Sequence, residues 1–342
     1  MGAEAAAWAI RFFLGREPQD SAEIEFHRQH RDLHSMRKAF SESAPFKAFL
    51  ATQRAREPYR APLFLLAPPS DPEVPSKFAP PTLTRPVSQL CTAAQMEAPE
   101  FRHWMAALLL PQNTLHRKSW EFAYICAVLN QAGMMAPGKR ALGFGVGRER
   151  LVSLLARFGV DVVATDAPSE VNKGAWGIDQ HSSEIEHLHN SAIVDSETFH
   201  DRVVFQPADM NAISAELSNF DFCWSACAFE HLGSIRHGLD FVENSLRCLK
   251  SGGLAIHTTE FNLSSNDATF ESPGLSIFRK KDIEELVARL TRAGHRVMPL
   301  NFHPGDRELD AHVDAPPWAV PHLKLVLATY TCTSLGLVVF KA

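Results

Sequence analysis

The apolar positions of this chain change period along its length, and each change predicts a new kind of element. Between residues 3 and 54, Trp8, Ile10, Phe12, Phe13 and Leu14, then Ile24, Phe26, Leu33, Met36, Phe40, Phe46 and Phe49 recur as in short helices with one apolar side. The break LGREPQDS supplies a glycine, a proline and a helix-starting Asp or Ser. Residues 57–86 then hold nine of the chain's 22 prolines, a density that removes backbone donors and predicts extended chain. Within it, PLFLLAP is apolar enough to lie on a neighbouring domain. FRHWMAALLL and LHRKSWEFAYICAVLNQAGMM read as helices, the second with Trp120, Tyr124, Val128 and Leu129 at helical spacing. After residue 138, strand-like runs (KRALGF, VDVVATD, RVVFQPADM, FDFCWSA, GGLAIHTTEF, HRVMPLNF, TSLGLVVFKA) alternate with helical ones (RERLVSLLARFG, IRHGLDFVENSLRCLK, KKDIEELVARLTRAG). Such alternation predicts an α/β fold, a mostly parallel sheet with helices on both faces. The expected organisation is a helical N-terminal module over 1–55, a proline-rich linker over 56–86, and one domain over 87–342. That domain divides into a helical lead-in (87–136) and a Rossmann-like core (137–342).

Gly143, Gly145 and Gly147 stand at every second position between the first core strand and its helix. In an open α/β sheet, ligands sit beyond the carboxyl ends of the strands where the strand order reverses, and a bare backbone there admits a cofactor. Asp166 ends the next strand about 20 residues on, the spacing suited to ribose hydroxyls. A dinucleotide would need G-x-G-x-x-G; here no third glycine falls at that offset, and Glu149 would repel a pyrophosphate. A nicotinamide-dependent oxidoreductase is therefore the alternative, and a ligand without phosphate the preferred reading.

From about 138 to 300, the run LGFGVGRE, VVATD, ADM, FDFCWSACAFEHL and LKSGGLAIHTTE resembles a class I S-adenosylmethionine-dependent methyltransferase, whose fold is a Rossmann-like doubly wound sheet. The resemblance implies S-adenosylmethionine as cofactor, over Gly143, Gly145 and Gly147. It implies Asp166 on the ribose, Asp209 on the adenine amino group, Met210 flanking the ring, and the strand-4 end with Ser225 under the methionine. The family usually carries Asp or Glu two residues before the first glycine, where this chain has Ala141. Glu149 is the carboxylate left to reach the methionine ammonium. Ala141 also keeps open a non-catalytic binding protein with the same fold. At the N-terminus, LGREP with Phe40, Ser43 and Phe46 resembles a short helical module found beside bacterial glycosyltransferases. That association suggests a small-molecule acceptor, a sugar or glycan intermediate methylated on a hydroxyl or, second, on an amine.

Methyl transfer is an in-line displacement, so the enzyme mainly positions the nucleophile, and a hydroxyl also needs a base. His231, His257 and Glu260 are the candidates. Their plain alternatives are a cap for His231 and a hydrogen-bonded core histidine for His257. His116, Arg117, Lys118, Trp120 and Glu121, just before the core, are placed to shape an acceptor pocket or to line an exposed helix face. AWGIDQH brings Trp176 near the expected adenosine. The loop at 303–322, with His303, Asp306, Asp310, His312, Asp314 and His322, reads as a substrate lid; its carboxylates and imidazoles leave open a divalent ion that holds a diol, and no metal ligand is assigned.

Composition narrows the classes. With 45% hydrophobic and 21% charged residues the chain is an ordinary soluble globular protein. A net charge of −5 and the lack of a basic aromatic stripe argue against nucleic acid. The apolar N-terminal run is too short for a membrane span and lacks a signal-peptide pattern. Six cysteines without a C-x-x-C pair read as free thiols in a reducing cytoplasm. Nothing in the pattern sets an oligomeric state.

Overall fold

The computed structural model describes residues 2–47, 49, 58–168, 184–316 and 318–342. The expected Trp176 contact lies outside these residues. Helices α1 (Ala3–Leu14), α2 (Ser21–Arg28) and α3 (Leu33–Glu42) start on the side chains of Asp20 and Asp32 for the latter two. They enclose a small cluster of Ala9, Ile10, Leu14, Met36 and Phe40. The proline-rich run is extended except for one helical turn, α4 (Leu63–Leu66). It is not detached: Leu65, Val74 and Leu83 are buried in the main core, and the Lys77 amide donates to the Leu300 carbonyl.

Where helix was expected from residue 87, the chain first forms a strand, β1 (Ser88–Leu90). Three residues behind Pro86 are too few for a period-2 signal, and their sheet partners are remote in sequence: Gly336 and Leu335 on one side, Leu300 and Asn301 on the other. Helices α5 (Ala93–Glu97), α6 (Pro99–Ala107) and α7 (Arg117–Gln131) follow. The core strands are β2 (Arg140–Phe144), β3 (Asp161–Asp166), β4 (Val203–Pro207), β5 (Phe220–Ala226) and β6 (Leu249–Asn262). Helix α8 (Leu151–Arg157) joins β2 to β3, α9 (Ser196–Arg202) precedes β4, and α10 (Ile235–Ser245) joins β5 to β6.

Strands β7 (Glu271–Ser272) and β8 (Leu275–Ser276) form a small hairpin. Helix α11 (Lys280–Arg292), expected from the run KKDIEELVARLTRAG, buries Ile283, Leu286, Val287 and Leu290, an i, i+3, i+4, i+7 stripe. The expected strand HRVMPLNF is split. β9 (Arg296–Val297) pairs with the last strand, while β10 (Leu300–Asn301) pairs with β1. After α12 (Glu308–Ala311) and β11 (Leu325–Leu327), β12 (Tyr330–Phe340) runs antiparallel to β6 over nine residue pairs.

The sheet order is β10-β1-β12-β6-β5-β2-β3-β4. Strands β4, β3, β2, β5 and β6 are parallel. After β2 the chain builds outward through β3 and β4, then returns to lay β5 on the opposite side of β2. The carboxyl ends of β2 and β5 therefore flank the crevice where a ligand is expected in a doubly wound sheet. No helix among the described residues is long and apolar enough to cross a membrane.

Candidate active site

Strand β2 delivers the glycine turn to that crevice. Gly145 (φ 58°) and Gly147 (φ 52°) adopt the left-handed conformation that disfavours other residues. A Cβ at Gly145 would lie 3.0 Å from the Ala228 Cβ and 3.5 Å from the Met210 Sδ. The segments following β5 and β4 thus close on this turn. Gly143 has a different reason for its small size. A Cβ there would come within 2.5 Å of both Trp224 Cζ2 and Val146 Cγ1, so its bareness admits the Trp224 ring, not a cofactor.

Asp166 is the last residue of β3, buried, with Oδ1 accepting from the Ala167 amide at 2.8 Å. Asp209 lies after β4, half-buried, and its Oδ1 accepts from the Asn211 amide at 2.8 Å. Glu149 is held on the sheet: its Oε1 accepts from the Trp224 indole N–H at 2.6 Å. Burial pushes its carboxyl up to about 8 in spite of that bond.

Two expected site residues are spent inside the core. His257 is fully buried on β6, with Nδ1 2.8 Å from Ser225 Oγ and Nε2 3.1 Å from Ser245 Oγ. Ser245 donates to the Val242 carbonyl, so it accepts from His257 Nε2–H, and Nδ1 accepts from Ser225. Both ring nitrogens and the Ser225 hydroxyl are thereby committed, and burial holds the imidazole down to about 3, uncharged. Packed beside Phe241 and Phe229, His257 sits in the core with both ring nitrogens held by Ser225 and Ser245. His257→Ala should cost roughly 3 kcal/mol from a cavity and the unanswered Ser225 hydroxyl, read by chemical denaturation, with cofactor affinity unchanged.

The third expected base falls in a polar cluster that helix α7 completes. Glu260 ends the buried run HTTE on β6, and its Oε1 pairs closely with Arg117 Nη2. Arg117 Nη1 also reaches Glu121 Oε1 at 3.1 Å, Ser334 Oγ at 3.2 Å and Cys227 Sγ at 3.3 Å. Glu121, fully buried, accepts from the Cys227 thiol at 3.0 Å, from Ser334 at 2.5 Å and from Thr258 at 3.3 Å. Lys118 Nζ lies 3.3 Å from Glu121 and donates to the Ala226 carbonyl at 2.9 Å. Glu230, also fully buried, accepts from Thr259 at 3.0 Å. His231 donates from Nδ1 to the Gly274 carbonyl at 2.8 Å, which turns Nε2 toward Glu230, 3.7 Å away; burial lowers its pKa.

Three formal carboxylates (Glu121, Glu230, Glu260) face two cations (Arg117, Lys118), one negative charge in excess. Burial pulls Glu121 upward, but Lys118, Arg117 and the bonds from Cys227 and Ser334 outweigh it, and the carboxyl settles at about 2. Glu260 goes the other way. Burial, opposed by Arg117 and assisted by Glu230 and Glu121, raises it above the ordinary carboxylate range. The cluster adjoins the glycine turn through Ala226–Ala228.

Sequence reasoning singled out Arg117, Lys118, Glu121, Glu260 and His231, but not the parts played by Cys227, Thr258, Thr259 and Ser334. A signal existed: HTTE places four polar residues in succession in a strand that the parallel sheet must bury. Cys227, at φ 50° just past β5, carried none.

The loop at 303–322 is tied down through its acidic groups. Asp310 accepts from the Ala93 and Arg307 amides and pairs with Lys324. Asp314 accepts from the Ala319 amide and bonds His322 Nδ1. His322 stacks on His116 at 4.5 Å, and its main chain bonds Leu115 and Arg117. The loop thus buttresses the start of α7.

Residues 142–257 match the model of a methyltransferase domain. No curated protein matches the chain. Among solved structures it is similar to a putative sarcosine dimethylglycine methyltransferase from Galdieria sulphuraria, with 19% identity, TM-score 0.37, and 53% of this chain covering 60% of that one. It is also similar to magnesium protoporphyrin IX methyltransferase from Synechocystis PCC 6803 with bound S-adenosylhomocysteine, with 11% identity, TM-score 0.39, and 66% of this chain covering 83% of that one. A third is an S-adenosylmethionine-dependent methyltransferase from Geobacter sulfurreducens, with 19% identity, TM-score 0.33, and 50% and 63% covered. From β2 into β6, residues 142–257 of this chain thus match a methyltransferase domain.

Proposed function

We propose that this chain methylates a hydroxyl of a small-molecule acceptor, a sugar or glycan intermediate, and that Glu260 takes the hydroxyl proton. The observation that carries the reading is the excess negative charge of the Arg117–Lys118–Glu121–Glu230–Glu260 cluster beside the glycine turn. The residues at the turn fit S-adenosylmethionine: Gly145 and Gly147 offer bare main chain, and Asp166 ends β3 where a ribose would lie. Asp209 and Met210 stand beyond β4 on the adenine side, and Glu149 is the carboxylate left for the methionine ammonium.

The cofactor supplies a methyl group on a positively charged sulfur, which becomes neutral on transfer. At that moment the cluster must recover one positive charge. A proton passing from the acceptor oxygen to Glu260 provides it, so methyl transfer and proton transfer leave the local charge balanced. Arg117 holds Glu260 Oε1 in place and leaves Oε2 for the acceptor. Glu121 anchors Arg117 from below.

The test is release of S-adenosylhomocysteine with a panel of neutral sugars, combined with calorimetry of cofactor binding. Asp166→Ala should weaken S-adenosylmethionine binding at least tenfold, about 1.4 kcal/mol. Unchanged affinity in the folded variant would remove the ribose assignment. NADH binding in preference to S-adenosylmethionine would return the chain to the oxidoreductase reading.

A further inference from the structure

We infer that Glu230 is the specificity residue of the acceptor pocket, and that the acceptor presents a vicinal diol, one hydroxyl to Glu260 and its neighbour to Glu230. The inference rests on the methyltransferase reading and deepens it. Glu230 is fully buried and Glu260 is 4% exposed, yet Glu230 Oε1 and Glu260 Oε2 have no hydrogen-bond partner within the protein. A buried carboxylate oxygen without a donor costs about 1–3 kcal/mol or more. Two such oxygens on neighbouring carboxylates form a receptor for two donors. Their partner oxygens are already committed, to Thr259 for Glu230 and to Arg117 for Glu260. The two glutamates and Cys227 bring one carboxylate oxygen each and the sulfur within 4.8 Å of one another. Adjacent hydroxyls, each donating over about 2.7 Å, can address two carboxylates that lie this close.

A third unpartnered atom selects among donor groups. Arg117 Nε, in the same guanidinium that holds Glu260, is buried without a hydrogen-bond partner. A hydroxyl donates to a carboxylate and also accepts from an N–H; an ammonium only donates. A diol therefore answers both carboxylates and Arg117, whereas an amine leaves Nε unanswered. A metal ion would meet the carboxylates but also the Arg117 and Lys118 charges already among them. Phosphate or carboxylate on the acceptor at this point would face the excess negative charge.

The test uses the full chain loaded with S-adenosylhomocysteine, and measures binding of cis-1,2-cyclohexanediol, cyclohexanol and cyclohexylamine by ligand-observed NMR. The diol should bind at least tenfold more tightly than either monofunctional probe, and Glu230→Gln should bring diol and alcohol within threefold. Equal binding of diol and alcohol, no binding of the diol, tightest binding of the amine, or a diol preference surviving Glu230→Gln would each overturn the inference. Should Glu230→Gln fail to fold, as judged by its melting transition, Glu230→Asp is read in the same way, because the shorter side chain withdraws the oxygen. Failure of the wild-type chain to load S-adenosylhomocysteine would count against the methyltransferase reading itself.

Discussion

Glu260→Gln should lower turnover by about two to four orders of magnitude, the usual worth of a positioned acid–base group, with S-adenosylhomocysteine affinity within threefold of wild type. Glutamine keeps the shape and the contact with Arg117 but cannot accept a proton. The pH profile gives an independent reading. Burial, with Glu230 and Glu121 as like charges, keeps the Glu260 proton bound above the ordinary carboxylate range against the pull of Arg117. Because the ionised form is the active one, the rate should climb as pH rises through the neutral range. Glu260→Gln should lose that limb along with the rate. A variant retaining wild-type turnover, or a wild-type rate flat across neutral pH, would remove Glu260 from the role.

Glu121→Ala should destabilise the chain by about 3–5 kcal/mol, the cost of stripping one partner from a buried ion pair. Its carboxylate is fully buried and gathers Arg117, Lys118, Cys227, Ser334 and Thr258, so removal leaves cations and hydroxyls unanswered in one place. The sign of the pH effect follows from its depressed folded-state pKa of about 2. The contribution is fully present above the pKa of an unfolded glutamate and is lost as pH falls through about 2. Urea unfolding at neutral pH should show the full gap between wild type and variant, and the gap should close toward pH 2. An equal gap at both ends would mean that packing, not charge, is what Glu121 supplies.

Much of the architecture was legible because local pattern and tertiary environment agree there. VDVVATD and FDFCWSA are mainly apolar without a strict alternation, as a strand covered on both faces requires, and they fall on β3 and β5. The α11 stripe is equally plain. β1 and the split of HRVMPLNF were not legible, since these two- and three-residue strands exist only through partners remote in sequence. At the site, the glycine spacing marked the turn, but Gly143 is small for Trp224, a contact that no local pattern contains. His257 and Glu260, three residues apart on one strand, looked alike as bases. Ser225 and Ser245 take both nitrogens of the first, while the second keeps an unpartnered oxygen.

The order of the core strands β2 to β6, the glycine turn with an acidic residue ending the next strand, and the polar run HTTE inside an apolar strand were determined by sequence alone, because each depends on neighbours a few residues away. Which groups share a pocket was decided only by the tertiary structure. Arg117 and Glu121 from α7, Cys227 and Glu230 after β5, Glu260 on β6 and Ser334 on β12 converge because β12 inserts antiparallel beside β6 and α7 packs across both strands. Charge balance is a sum over all groups within a few ångströms, and in a buried cluster those groups come from segments that chain order keeps far apart.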